Sequence, residues 1–171
     1  MFEPPVFRRF RPGVLAEALT RHQVDYVLVG ALAGRLAGLP RLTADADITP
    51  ALDRPNLERL AAALRELNAK VYTQDLPEGL PFDCSAPMLA RAEVWNLTTD
   101  AGRVDVLFKP VGSSGYAGLM EDAIEYPAYG TTLWAASLPA LLKMKEAANR
   151  PKDQDDAAVI RAMIERDARQ G

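Results

Sequence analysis

Two aspartates one residue apart, Asp45-Ala46-Asp47, carry the first hint of chemistry in the chain. Residues two apart on a strand project from the same face, so a strand over Leu42–Ile48 would present both carboxylates together. Such a pair repels itself, and a hard divalent cation relieves the repulsion. Two Mg²⁺ ions about 3.5–4 Å apart are a recurrent device for in-line displacement at phosphorus. A solvated strand end would show the same spacing, so the surrounding residues have to decide. Gly30 falls where an apolar strand gives way to a helix, and the free N–H groups of Gly30 and Ala31 could seat phosphate oxygens. A tight turn alone would also use a glycine there. Asp105 interrupts the apolar stretch Val104–Phe108 and shares a strand face with Leu107. A partly covered carboxylate needs a partner, and a metal ion or an incoming hydroxyl would serve.

Further candidates lie near the C-terminus. At about 100° per residue, Lys145 falls within the apolar stripe of Leu138, Leu141, Leu142 and Ala148, whereas Lys143 points away. On the last helix Asp153 lies on the stripe of Ala157, Ile160 and Ile164. Two accounts stay open: a Lys145–Asp153 ion pair that fixes the helices, or a Lys145 that reaches nucleotide phosphates while Asp153 orients it. Thr43 would share the strand face of Asp45 and Asp47. A phosphate on Thr43 would add nearly two negative charges beside the carboxylates and switch the site off, while a β-branched residue chosen for strand propensity is the simpler explanation. Cys84 has no second cysteine or clustered histidine and reads as a bystander.

The elements that must position these residues follow from periodicity and punctuation. A first helix is expected over Gly13–Arg21, a buried strand over Asp25–Val29, and a helix from about Ala31 to Leu39, stopped by Pro40. Pro50 ends the Asp45–Asp47 strand, and Asp53 and Pro55 open a helix with Leu57, Leu60, Ala61, Leu64 and Leu67 on one stripe. From Lys70 to Met88 four prolines and glycines predict a short strand and a loop. Val94–Thr98 and Arg103–Phe108 flank a turn and predict an antiparallel hairpin. Tyr116–Ile124 is expected to be helical, Thr131–Ala135 a strand, and two helices, Leu138–Ala148 and Pro151–Arg166, close the chain.

At 171 residues the chain can bury one core, so a single domain of residues 1–171 is expected. Its catalytic core would span about 13–110 and a mainly helical part about 115–168. The fold class is α/β (α+β), a small mixed sheet with flanking helices and a C-terminal helical extension. A net charge of −3 excludes indiscriminate nucleic-acid binding through a basic surface, although Arg8, Arg9, Arg11 and Arg21 could form a local basic arm. No apolar run is long enough to cross a bilayer and the first residues do not build a signal sequence, so the cytoplasm is the expected compartment.

The strand entering Gly30-Ala31, the Asp45-x-Asp47 pair and the later Asp105 resemble the polymerase-beta-like minimal nucleotidyltransferases. The segment Leu142–Asp156 resembles the tail of their AbiEii and MenT-like toxin branch. The family usually has Gly-Gly or Gly-Ser where this chain has Gly30-Ala31. The resemblance implies that Asp45, Asp47 and Asp105 hold Mg²⁺ (or Mn²⁺), and that Asp105 helps activate an acceptor hydroxyl. It also implies that Lys145, Arg41 and Lys152 touch the triphosphate of an NTP substrate. The reaction implied is transfer of a nucleotide to the 3′ end of tRNA, restrained by a cognate antitoxin. Three rivals remain open: nucleotidylation of a protein hydroxyl, an Asp-x-Asp glycosyltransferase, and an inactive partner-binding module.

Overall fold

The computed structural model describes residues 9–171. Arg8 of the expected basic arm lies outside them. The elements are α1 (Pro12–Arg21), β1 (Tyr26–Val29), α2 (Gly30–Leu36), β2 (Asp45–Pro50), α3 (Arg54–Glu66), β3 (Lys70–Val71), α4 (Ala86–Leu89), β4 (Val94–Thr99), β5 (Gly102–Leu107), α5 (Tyr116–Met120), β6 (Ile124–Ala128), β7 (Thr131–Ala135), α6 (Leu138–Ala148) and α7 (Pro151–Gln170). The strands form one seven-stranded mixed sheet in the order β3-β4-β5-β2-β1-β7-β6. The pairs β2/β5 and β1/β7 are parallel and the others antiparallel.

Period-two patterning sets what each central strand shows to the core. Ala46, Ile48, Val104 and Val106 are fully buried, while the alternate residues Asp45, Asp47, Arg103, Asp105 and Leu107 are half-buried. Helices α1 and α3 pack on each other and against β7 and β2, whereas α6 packs on α7 and on α2. Helix α3 begins where Asp53 accepts a hydrogen bond from the Asn56 N–H at 3.0 Å, with Pro55 in the first turn. Its stripe Leu57, Leu60, Ala61 and Leu64 is buried.

One polar side chain inside this packing ties the central strands to α3. Asn56 is fully buried. Its amide donates to the carbonyls of Asp25 and Ala51, both at 2.9 Å, and its Oδ1 accepts from the Asp25 N–H at 2.7 Å. The entry to β1 and the exit of β2 are thereby held together.

Several boundaries differ from expectation for physical reasons. Strand β2 begins at Asp45 rather than Leu42 because its pairing begins there: β1 pairs as far as Asp47, and the pairing with β5 begins at Asp45 opposite Arg103. Thr43 precedes the strand, and its hydroxyl donates to the Asp45 carbonyl at 2.7 Å, an alternative to the ladder. The region 116–124 is not one helix. Helix α5 stops at Met120, and Ile124–Ala128 forms β6, an edge strand among the described residues, where Pro127 is tolerated. Pro87 does not break structure but opens the short helix α4 behind the cap Ser85, whose hydroxyl accepts from the Met88 N–H. Helix α2 ends at Leu36, before Leu39, and α7 runs past Arg166 to Gln170. No described helix is long and apolar enough to cross a membrane.

Candidate active site

Strands β2 and β5 lie side by side and parallel, with Asp47 opposite Asp105 and Asp45 opposite Arg103. The three carboxylates therefore share one sheet face and line one cleft of about 450 Å³. Gly30, Ala31, Arg41, Lys145, Arg150, Lys152, Asp153 and Asp156 line the same cleft. All the site residues expected from sequence are thus brought together except Thr43, which is not among the lining residues.

The carboxylates are short of counter-charge. Burial, then the charges of Asp45 and Asp105 and a hydrogen bond with Asp105, raise the Asp47 carboxyl to about 7, with Lys145 opposing. Burial also raises Asp105, against the pull of the Arg103 guanidinium. Asp105 Oδ1 is buried without a hydrogen-bond partner, and the Arg103 guanidinium lies 3.5 Å from it. Among the described residues, no three His, Cys, Asp or Glu side chains converge as a ready-made metal cluster. The donor set nevertheless fits a hard divalent cation: it is all carboxylate oxygen, one oxygen is buried without a hydrogen bond, and burial together with mutual repulsion raises the proton affinity.

Gly30 is the first residue of α2 and has φ +66°. A Cβ there would lie 2.0 Å from Asp47 Oδ2, so only glycine lets the carboxylate rest against this backbone. The turn requirement and the site requirement on Gly30 coincide.

The opposite wall comes from α6 and α7. Asn149, in the left-handed conformation, ends α6, and Pro151 starts α7, which folds the second helix back on the first. Lys145 Nζ lies 3.3 Å from Asp153 Oδ1 and 3.1 Å from Asp156 Oδ2. Asp153 is fully buried, and Arg150 Nε donates to its Oδ2 at 2.6 Å. Burial pushes the Asp153 carboxyl up, but hydrogen bonds from the Arg150 side chain and backbone and from Lys145 outweigh it and hold the group at about 2. Arg41 pairs with Asp156 across the cleft mouth. The inward Lys145 and Asp153 stand where helical periodicity placed them, and they form an ion pair that still faces the cleft.

Three residues of this site were not singled out from the sequence. Asp156 follows Asp153 by three positions and joins the same inward stripe as Ala157 and Ile160, a spacing legible in principle. Arg103 shares a face with Asp105 by strand alternation; what could not be read is that its guanidinium stacks 3.5 Å over the ring of Tyr72, from the loop after β3. Arg150 stands at the bend between α6 and α7, and only the fold aims it at Asp153.

The other candidates lie elsewhere. Cys84 is buried, its Sγ 3.7 Å from the Ala61 carbonyl, and burial raises its thiol to about 11. Arg11 donates to the Asp100 carbonyl and Arg21 pairs with Glu17 and Glu66, so those two members of the expected basic arm are spent on internal contacts.

No protein-family model and no curated protein sequence matches the chain. Among solved structures it is similar to TM1012 of Thermotoga maritima, a protein only provisionally assigned as a nucleotidyltransferase. The TM-score is 0.52 at 15% identity, over 95% of this chain and 99% of the other. The likeness is one of fold: a seven-stranded mixed sheet with flanking helices and a C-terminal helix.

Proposed function

We propose that the protein is a metal-dependent nucleotidyltransferase that moves a nucleoside monophosphate from an NTP to an acceptor hydroxyl and releases pyrophosphate. The observation that supports this reading best is the register of β2 against β5, which sets Asp45, Asp47 and Asp105 on one face opposite Lys145. Asp45, Asp47 and Asp105 would hold Mg²⁺ or Mn²⁺, which when bound neutralises negative charge on the phosphates. Lys145, Arg150, Lys152 and Arg41 bind and orient the triphosphate, with Asp153 and Asp156 fixing Lys145 in place. The N–H groups of Gly30 and Ala31 offer further donors to phosphate oxygens. Asp105 accepts a hydrogen bond from the acceptor hydroxyl and takes its proton. The acceptor oxygen then bonds to the α-phosphorus as the bond to the bridging oxygen breaks, and pyrophosphate leaves.

For the acceptor we propose the 3′ end of a tRNA, in a toxin held in check by an antitoxin; this part rests on the resemblance of Leu142–Asp156. Thr43, with its hydroxyl already bonded to the Asp45 backbone, remains the proposed phosphosite. The test is incubation with each α-labelled triphosphate, total RNA and total protein, comparing wild type with Asp45→Ala. Label entering small RNA only with the wild type is the expected result. Label in protein alone identifies protein nucleotidylation, and equal labelling by both proteins removes the mechanism.

A further inference from the structure

One carboxylate in the cleft holds two of the cations assigned to the triphosphate. Asp156 Oδ1 accepts a hydrogen bond from Arg41 Nη1, and Asp156 Oδ2 lies 3.1 Å from Lys145 Nζ. Arg41 comes from the segment between α2 and β2, Lys145 from α6 and Asp156 from α7, so the two oxygens of one group gather cations from two other elements. A phosphate group uses its oxygens in the same manner. All three side chains line the cleft. The two carboxylates that fix Lys145 are not held alike. Asp153 is fully buried and accepts from Arg150 Nε at 2.6 Å and from the Arg150 backbone N–H at 3.2 Å, besides its contact with Lys145 at 3.3 Å. The ion pairs of Asp156 are those with Lys145 and with Arg41, which is exposed and belongs to no helix or strand. Another anion could take the place of Asp156 on both cations while Asp153 kept its own partners.

We propose that Asp156 is an internal competitor for the phosphate seat: the polyphosphate chain of the substrate displaces its carboxylate from Arg41 and Lys145, and the carboxylate takes both cations back as pyrophosphate leaves. The proposal rests on the reading of Arg41 and Lys145 as triphosphate-binding. Asp153 keeps Lys145 aimed during the exchange, so the displacement of Asp156 does not set the lysine loose. The displaced carboxylate then stands beside phosphate oxygens, and like charges side by side weaken binding. Such a seat holds pyrophosphate less tightly and lets it go sooner, because affinity differences within one site lie mostly in the dissociation rate. A purely structural Asp156 predicts the opposite result of neutralising it, since cations that lose their partner leave a looser and weaker seat.

The test is calorimetric titration of the full chain, in Mg²⁺, with pyrophosphate and with inorganic tripolyphosphate. Asp156→Asn, which keeps the size and removes the charge, should bind both about ten- to a hundredfold tighter than the wild type. In an Arg41→Gln background the same substitution should give only about half that gain on a logarithmic scale, because one of the two contested cations is gone. Unchanged or weaker binding by Asp156→Asn overturns the proposal and leaves the phosphate seat standing. A gain that persists in full without Arg41 reports plain charge repulsion and overturns the displacement. Asp156→Ser should reproduce the gain of Asp156→Asn; if neither variant folds, the carboxylate is a structural member of the helical hairpin and the proposal falls. If no form of the protein binds either anion, the seat and its competitor fail together.

Discussion

Asp47 holds its proton to about pH 7 because it is buried between two like charges, Asp45 and Asp105, and Lys145 offsets them only in part. An unfolded carboxyl titrates near 3.8, so between about pH 4 and pH 7 the folded protein keeps a proton that the unfolded chain has released. Stability from this group is therefore greatest at low pH and declines as pH rises to about 7. Chemical denaturation in EDTA at pH 5 and pH 8 should show that decline in the wild type. Asp47→Asn should lessen it by about 1–4 kcal/mol while abolishing transfer. Identical pH dependence in the two proteins would show that the carboxylates do not crowd one another. Asp45, Asp47 and Asp105 were legible as candidates because strand alternation and apolar neighbours mark them. The Arg103–Tyr72 stack beside Asp105 was not, since Tyr72 reaches it only through the pairing of β3, β4 and β5.

The starts of α3 and α6 fell where the sequence placed them, whereas the Ser85-capped α4 did not. Ser137 caps α6, accepting from the Ala140 N–H at 3.1 Å, and Asp53 caps α3 in the same way. Strand ends were less legible because a strand begins only where a neighbour pairs with it, which a single sequence does not reveal. Thus β2 starts three residues later than its apolar pattern suggests, and β6 emerges from a stretch that reads as helix. Asn56 belongs to this class of long-range information: nothing local says that the ends of β1 and β2 will meet at its amide. Asn56→Ala strands the Asp25 and Ala51 backbone groups in the interior. It should destabilise the protein by about 3 kcal/mol, lowering Tm by about 6–12 °C. Thermal unfolding checks this, and a shift of less than about 2 °C would mean that water replaces the amide.

The molecule as a whole joins a parallel strand pair that carries the carboxylates to a helical hairpin that carries the cations, and the cleft between them is the meeting of the two halves of the chain. The helical wall carries Asp153 and Asp156 beside its cations, and the Asn149–Pro151 bend that forms it folds α7 back on α6. The net charge of −3 means that a polyanionic acceptor would have to be guided locally by Arg41, Lys145, Arg150 and Lys152 rather than by a basic surface. The fold likeness at 15% identity extends over nearly the whole chain and leaves the chemistry to these side chains. The most direct measurement is anomalous diffraction from crystals soaked with Mn²⁺ and a non-hydrolysable nucleoside triphosphate. Manganese peaks within coordination distance of Asp45, Asp47 and Asp105, with the triphosphate against Lys145, are the expected result. Ordered triphosphate with no manganese at these carboxylates would contradict the metal-dependent mechanism.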